Sequence, residues 1–420
     1  MSRNEKVVKL AIIGLGKRGL GILKTVLIKM IEMGTIEVLG VCDAYEDRVQ
    51  DAAGFLKEKT GKEPVKSTNY RDILDIKGLD AVLVMTAWES HVDIAIEAMK
   101  RGIRPGIEVG GAYSLQECFN LVEAYEQTGI HCMMLENCCY GRKELMVLNM
   151  VKQGVFGEIV HCSGGYMHDL RHEISDGDIE RHYRQRNYLT RNCENYPTHE
   201  LGPIAQVLNI NRGNRMLYLT SVASCSKGLH QYIAEHRGPA HPLYNAHFNQ
   251  GDIVTTVIKC ANGETIVLTL DTTLPRIYSR GFTVRGTKGM YCEDGHYIHM
   301  DGENEFDTLA NKLNNADKYY EKYEHPLWVE YKKNPIGGHD GIDWLVYSAF
   351  VDSVAKGITP PIDTYDTATW MSISCLSEES IACGGKPVNI PDFTRGKWIL
   401  RTENDDTCDS IYSLSKIVTK

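Results

Sequence analysis

Six residues near the start constrain this chain more than any others: Gly14-Leu15-Gly16-Lys17-Arg18-Gly19. They close a β-rich run, Val8 to Gly14, and open a helical pattern from Arg18 to Met33. In that setting the first glycine makes a tight turn and the second lets the backbone approach a pyrophosphate. The helix start then offers unpaired N–H groups and the positive end of its dipole to the same anion. A second strand, Glu37 to Asp43, ends on a carboxylate 24 residues after Gly19. An acid there accepts hydrogen bonds from both ribose hydroxyls and repels a 2′-phosphate, so the expected cofactor is NAD rather than NADP.

The alternation continues through a helix from about Asp47 to Thr60, a strand Ala81 to Thr86, and a helix His91 to Arg101 closed by Gly102. Shorter strands follow at Gly106 to Val109 and His131 to Leu135. Fully apolar strands interleaved with helices predict a parallel sheet covered on both faces. After about Asn137 the texture changes. A helix (Arg142 to Lys152) leads to Glu158–Tyr166, then to a polar stretch rich in arginine and histidine, His168 to Glu194. Pro197 suits the first turn of another helix. The runs Leu217–Ala223, Asp252–Cys260, Glu264–Thr273 and Phe282–Arg285 have β character and predict an antiparallel meander, and helices follow at about Trp344–Ala355 and Thr367–Cys383. The expected architecture is α/β: an N-terminal Rossmann domain over residues 1–136, then an α+β domain over 137–420 with a largely antiparallel open sheet.

Composition removes whole classes of function. A formal charge of −9 gives no reason to expect a nucleic-acid partner. No apolar run reaches the roughly 18 to 20 residues of a membrane span. Met1 to Lys9 runs into a strand with no leader pattern, so a cytoplasmic location is expected. The thirteen cysteines are irregularly spaced, include no CxxC, and read as free thiols.

With these elements in place the chain resembles the Gfo/Idh/MocA oxidoreductase family, and within it the NAD-dependent α-N-acetylgalactosaminidase type, glycoside hydrolase family 109. The strings that carry the resemblance run nearly end to end: Gly14–Gly19, Thr86-Ala87-Trp88-Glu89-Ser90-His91, Glu108-Val109, Glu136-Asn137, Gly164 to Arg171, Tyr196 to Pro203, Asp271–Arg280, Gly337-Gly338-His339 and Pro391 to Gly396. The resemblance implies that Gly14, Gly16, Arg18, Gly19, Asp43, Trp88, His91, Glu108, Val109 and Asn137 contact NAD. It implies that Tyr166, Arg184, Tyr196, Pro197, Thr198, His199 and Tyr278 contact the sugar, and that the protein is a homodimer or homotetramer. Sugar dehydrogenases of this superfamily carry Glu-Lys-Pro where this chain reads Glu108-Val109-Gly110, so the lysine that helps move the hydroxyl proton is missing.

Direct hydrolysis of a glycoside uses two carboxylates flanking the bond. The matched segments offer tyrosines, histidines and arginines instead. A redox route suits them: hydride leaves carbon 3 for NAD, the hydrogen on carbon 2 becomes acidic, the aglycone is eliminated, water adds, and the hydride returns. His199 is the first choice for acid/base work, with Tyr196; Tyr166 and His168, two apart on a strand, face one ligand together. Arg184 and Tyr278 are assigned to hydroxyl or acetamido recognition. The bland readings stay open: Trp88 as core, Glu108 as a buried cap, the 168–195 run as a solvated loop rather than a flap. Glu136, His168 and His199 are metal-ligand types, but no spacing marks a metal site and none is expected. A sugar or inositol dehydrogenase forming net NADH is the alternative, with a silent sensor third.

Overall fold

Strand β1 (Val8–Ile13) is buried at five of six positions, and it has a parallel neighbour on each side. The structure is a computed structural model that describes residues 6–337, 339–402 and 411–414, so Gly338 of the matched Gly337–His339 string lies outside the described residues. The remaining strands of the first sheet are β2 (Ile36–Cys42), β3 (Val65–Ser67), β4 (Ala81–Val84), β5 (Arg104–Ile107) and β6 (Met133–Met134), all parallel, in the order β3-β2-β1-β4-β5-β6. The order reverses at β1, so the loops after β1, β2 and β4 open onto one crevice at the carboxyl ends of the strands, where open α/β sheets bind ligands. Helix Leu115–Thr128 shows how local sequence sets these elements: the Ser114 side chain accepts the Glu117 N–H at its start, and Gly129 ends it at φ 69°.

The second sheet has eight strands: β7 (Ile159–Met167), β8 (Met216–Ala223), β9 (Ile253–Cys260), β10 (Thr265–Asp271), β11 (Thr283–Gly286), β12 (Gly289–Cys292), β13 (Tyr297–Met300) and β14 (Val388–Asn389), ordered β13-β12-β11-β7-β10-β9-β8-β14. It is mostly antiparallel, as expected, but not a simple meander. β10 returns to lie parallel to β7, with Leu270 opposite Tyr166. Helix Thr198–Val207 crosses β7 at Gly164, where a Cβ would stand 1.9 Å from the Glu200 Cγ. The same helix meets the 136–139 segment at Gly202, whose Cβ would lie 3.0 Å from the Glu136 Cγ. Two missing side chains thus bring helix, strand and segment within contact distance.

The last two long helices, Ile342–Lys356 and Thr364–Ala382, turn back onto the first sheet. Thr367 Oγ1 accepts the Met134 N–H at 3.1 Å, and Phe350 packs against the face of β5 at Gly106. Among the described residues no helix is long and apolar enough to cross a membrane. The stretch weighed as either a solvated loop or a flap, 168–195, folds into short helices, Arg171–Ser175, Gly177–Glu180 and Arg184–Thr190, with Gln185, Asn187 and Tyr188 buried.

Candidate active site

The glycine turn is built as expected. Gly14 has φ +102°, and a Cβ on it would sit 2.4 Å from the Met85 backbone; one on Gly19 would sit 2.1 Å from the Gly14 carbonyl. Gly16 differs, because only the Arg48 guanidinium lies within 4 Å of its missing Cβ. It leaves an open cradle in front of the helix Lys17–Ile22, whose start carries no side-chain cap. Asp43, at the end of β2, is buried and accepts the Leu15 N–H at 2.6 Å and the Tyr45 N–H at 3.0 Å. It therefore shapes the turn as well as facing the crevice. These features fit the phosphates and ribose of a dinucleotide.

Arg18 departs from a plain cofactor contact. Its guanidinium forms a two-point pair with Asp343, at 2.8 and 2.9 Å, and its Nε donates to Glu108 Oε1 at 3.0 Å. Asn137 Nδ2 donates to Asp343 at 2.8 Å, and the Tyr347 hydroxyl donates to Glu108 at 2.9 Å. One polar network thus joins three of the predicted residues, Arg18, Glu108 and Asn137, to the helix Ile342–Lys356. Val109 is buried, and its carbonyl accepts the Trp88 indole N–H at 3.2 Å. Gly110 is required beside it, since a Cβ there would lie 2.3 Å from the indole ring. His91 is fully buried, with Nε2 3.0 Å from the Thr86 carbonyl and Nδ1 lacking a partner among the described residues; burial holds its imidazole below the ordinary histidine range and so neutral.

The residues expected to contact the sugar converge on one place. Tyr166 on β7 lies with its ring centroid 4.3 Å from that of Tyr196 and 5.3 Å from that of His199. Tyr196 and His199 are 4.8 Å apart with rings perpendicular. The Tyr166 hydroxyl is 3.0 Å from His168 Nδ1. Burial raises the Tyr166 pKa, and burial followed by the Arg184 charge lowers that of His168, so the phenol keeps its proton and donates it to a neutral ring. Tyr278, half-exposed, places its ring 5.1 Å from His168. Pro197 caps the helix and Thr198 is buried in its first turn beside Glu136. Arg184 is buried with its guanidinium carbon 4.8 Å from the Tyr196 ring centre and 5.3 Å from that of Trp88, so it bridges the two groups of residues. Its Nε lies 2.9 Å from Glu173, while Nη1 has no partner among the described residues.

Glu136, weighed in the sequence only as a metal-ligand type, is the partner of His199. It has no exposed surface, and its Oε1 lies 2.8 Å from His199 Nδ1 and accepts the Cys138 N–H at 3.1 Å. Burial alone would raise its pKa, but the His199 charge and these hydrogen bonds hold it below the ordinary carboxylate value. The pairing fixes the ring orientation and leaves Nε2 turned away from Glu136. The three metal-ligand types weighed in the sequence do not gather: His168 turns to Tyr166, while Cys138 joins Glu136 and His199 within 4.8 Å. Asp343, Tyr347 and Glu173 were missed, and no local signal marks them. The partners of Asp343 and Tyr347 lie far off in the chain, while Glu173 meets the nearby Arg184.

Comparison with known proteins agrees with this geometry. Residues 8–135 match the family model described as oxidoreductase family, NAD-binding Rossmann fold, and residues 140–400 match glycosyl hydrolase 109, C-terminal domain. The chain is 39% identical over 389 residues to an α-N-acetylgalactosaminidase of Tannerella forsythia, covering 87% of this chain and 82% of that one. It is 36% identical over 401 residues to an α-N-acetylgalactosaminidase of Shewanella oneidensis, covering 94% and 86%. Among solved structures, a levoglucosan dehydrogenase in complex with NADH superposes with TM-score 0.66 at 17% identity, over 92% of this chain and all of that one. A myo-inositol 2-dehydrogenase of Lactobacillus plantarum gives 0.64 at 16%, with the same coverage. At that identity the structures speak for the fold alone. The chain belongs to glycosyl hydrolase family 109, a family of glycosidases, and joins that family's C-terminal domain to an NAD-binding Rossmann domain of the Gfo/Idh/MocA type.

Proposed function

We propose that this protein cleaves N-acetyl-α-galactosaminides by transient oxidation of the sugar, with bound NAD restored in each cycle. The observation that carries the reading is the placement of Tyr166, Tyr196 and His199 against Arg184, which itself lies over Trp88 of the cofactor crevice. The carboxylates at this place are engaged, Glu136 with His199 and Glu173 with Arg184, so the flanking pair of a direct hydrolase is not offered here.

NAD, when bound, supplies reversible hydride removal at carbon 3 of the sugar, which acidifies the hydrogen on carbon 2. Tyr166 takes up the carbon-3 hydroxyl proton while passing its own to His168 Nδ1, so no phenolate has to persist in a buried place. His199 Nε2 removes the carbon-2 proton, and Glu136 steadies the imidazolium that results. Tyr196 stands over His199 to guide the departing oxygen, and Arg184 and Tyr278 bind hydroxyl or acetamido groups. Pro197 and Thr198 set the helix start that carries His199.

A plain sugar dehydrogenase is the competing reading. Against it, Val109 offers no acid or base where that chemistry needs one, and Glu108 is tied to Arg18 and Tyr347. Incubation of the purified protein with p-nitrophenyl N-acetyl-α-galactosaminide decides between them. Nitrophenol is expected without added NAD and without net NADH. Accumulating NADH with the glycoside intact sinks the proposal.

A further inference from the structure

The stretch between Gly177 and Arg186 crosses from one lip of the cofactor crevice to the other. On the β2 side, Arg181 makes a two-point pair with Asp47, at 2.7 and 3.0 Å, and Arg48 Nη2 donates to the Glu180 carbonyl at 3.1 Å. Tyr45 lies between the two arginines, 4.9 Å from the Arg48 guanidinium carbon and 4.4 Å from that of Arg181. On the β4 side, Arg186 pairs with Glu89, and the Tyr183 ring lies 4.7 Å from Trp88. Arg181 itself takes φ 53°, ψ 44°, a left-handed conformation that costs a residue with a Cβ and here ends the helix Gly177–Glu180. The two lips are the loops after β2 and β4, which flank the glycine turn at the switch point of the sheet. Arg48 is also the residue over Gly16, so one side chain touches both the turn and the crossing segment.

We propose that residues 177–186 form a clasp across the dinucleotide crevice, tethered through Asp47 and Glu89, and that its opening limits the exchange of NAD. The inference rests on the reading that NAD stays bound through turnover, and it adds the residues that hold it there. Both pairs are partly exposed, with side-chain exposures of 37% and 61% for Arg181 and Asp47 and 56% and 30% for Arg186 and Glu89. They can therefore open without unfolding either domain, and salt weakens them.

The test follows loss of radiolabelled NAD from the purified full chain after a chase with unlabelled NAD, by filter binding. Arg181→Ala and Asp47→Ala are each expected to speed release about threefold, and Arg181→Ala with Arg186→Ala about tenfold, in line with exposed ion pairs. The swap of Asp47→Arg with Arg181→Asp restores slow release, and added salt speeds release from the unaltered protein. Equal release rates from the unaltered protein and all variants overturn the clasp while leaving the catalytic reading standing. A purified protein that contains no NAD and binds none when it is added overturns both.

Discussion

His199 Nδ1 lies 2.8 Å from the Oε1 of a glutamate, Glu136, that has no surface exposed to solvent. A buried carboxylate in that position orients the imidazole. His199→Ala should abolish nitrophenol release while the protein still co-purifies with NAD. Glu136→Gln keeps the shape and removes the charge, and its kcat should fall about 100-fold with NAD content unchanged. Cofactor loss in either variant would show that the pair belongs to the nucleotide site.

Tyr166 and His168 are expected to act as a two-link proton relay. Tyr166→Phe should lower kcat about 100-fold. His168→Gln, whose amide oxygen can still accept from the phenol, should retain more activity than His168→Ala. Equal activity in the two His168 variants would remove His168 from the relay.

Asp343 holds Arg18 at two points and Asn137 at a third. Asp343→Ala leaves a guanidinium facing Glu108 alone, so unfolding in urea should begin earlier by about 3 kcal/mol. The same variant should bind NAD more weakly, since Arg18 and Asn137 both lose their anchor. Isothermal titration with NAD reads the second effect.

Gly164 and Gly202 allow the helix bearing His199 to touch both β7 and the Glu136 segment. Gly164→Ala places a methyl 1.9 Å from the Glu200 Cγ, so the helix must shift away from Tyr166. Overpacking of this kind costs about 1–3 kcal/mol. Activity should fall more steeply than stability, because His199 and Tyr166 are moved apart; a variant with full kcat would refute the packing argument.

Acid should weaken the fold through buried neutral histidines. Burial, followed by the Lys152 charge, pushes the His325 pKa down to about 4, and its Nδ1 caps the helix Pro326–Tyr331 by accepting the Leu327 N–H. The unfolded chain binds a proton near 6.5, so stability is fully present above that value and is lost as pH falls towards 4. At pH 5 the loss from this residue is about 2 kcal/mol. His325→Asn keeps the cap and should flatten the decline in Tm between pH 7 and 5.

Much of the molecule was legible along the chain. Strands such as Val8–Ile13 are apolar but for Lys9 because both their faces are covered, and Gly19 is demanded by a contact with the nearby Gly14 carbonyl, whereas the Met85 backbone that crowds Gly14 comes from β4. The segment 168–195 was not legible in this way. Its arginines suggest a solvated loop, yet Arg184 is buried among aromatic rings and Arg181 and Arg186 reach the opposite domain. Charge alone does not say whether a partner waits elsewhere. The parallel return of β10 to β7 was hidden for a related reason, since strand pairing depends on the path of the whole chain rather than on either strand.

What the sequence by itself determined is therefore local: the glycine turn after β1, the acid after β2, the period of each element, and the strings that place the chain among its relatives. Only the tertiary structure decided which groups meet. Glu136 and His199 are 63 residues apart, and Arg18 and Asp343 are 325 apart. No periodicity spans such distances. These pairs exist because helix Thr198–Val207 crosses β7 at a glycine and because helix Ile342–Lys356 returns to the first sheet, so burial removes each charge from water unless the other is there to meet it.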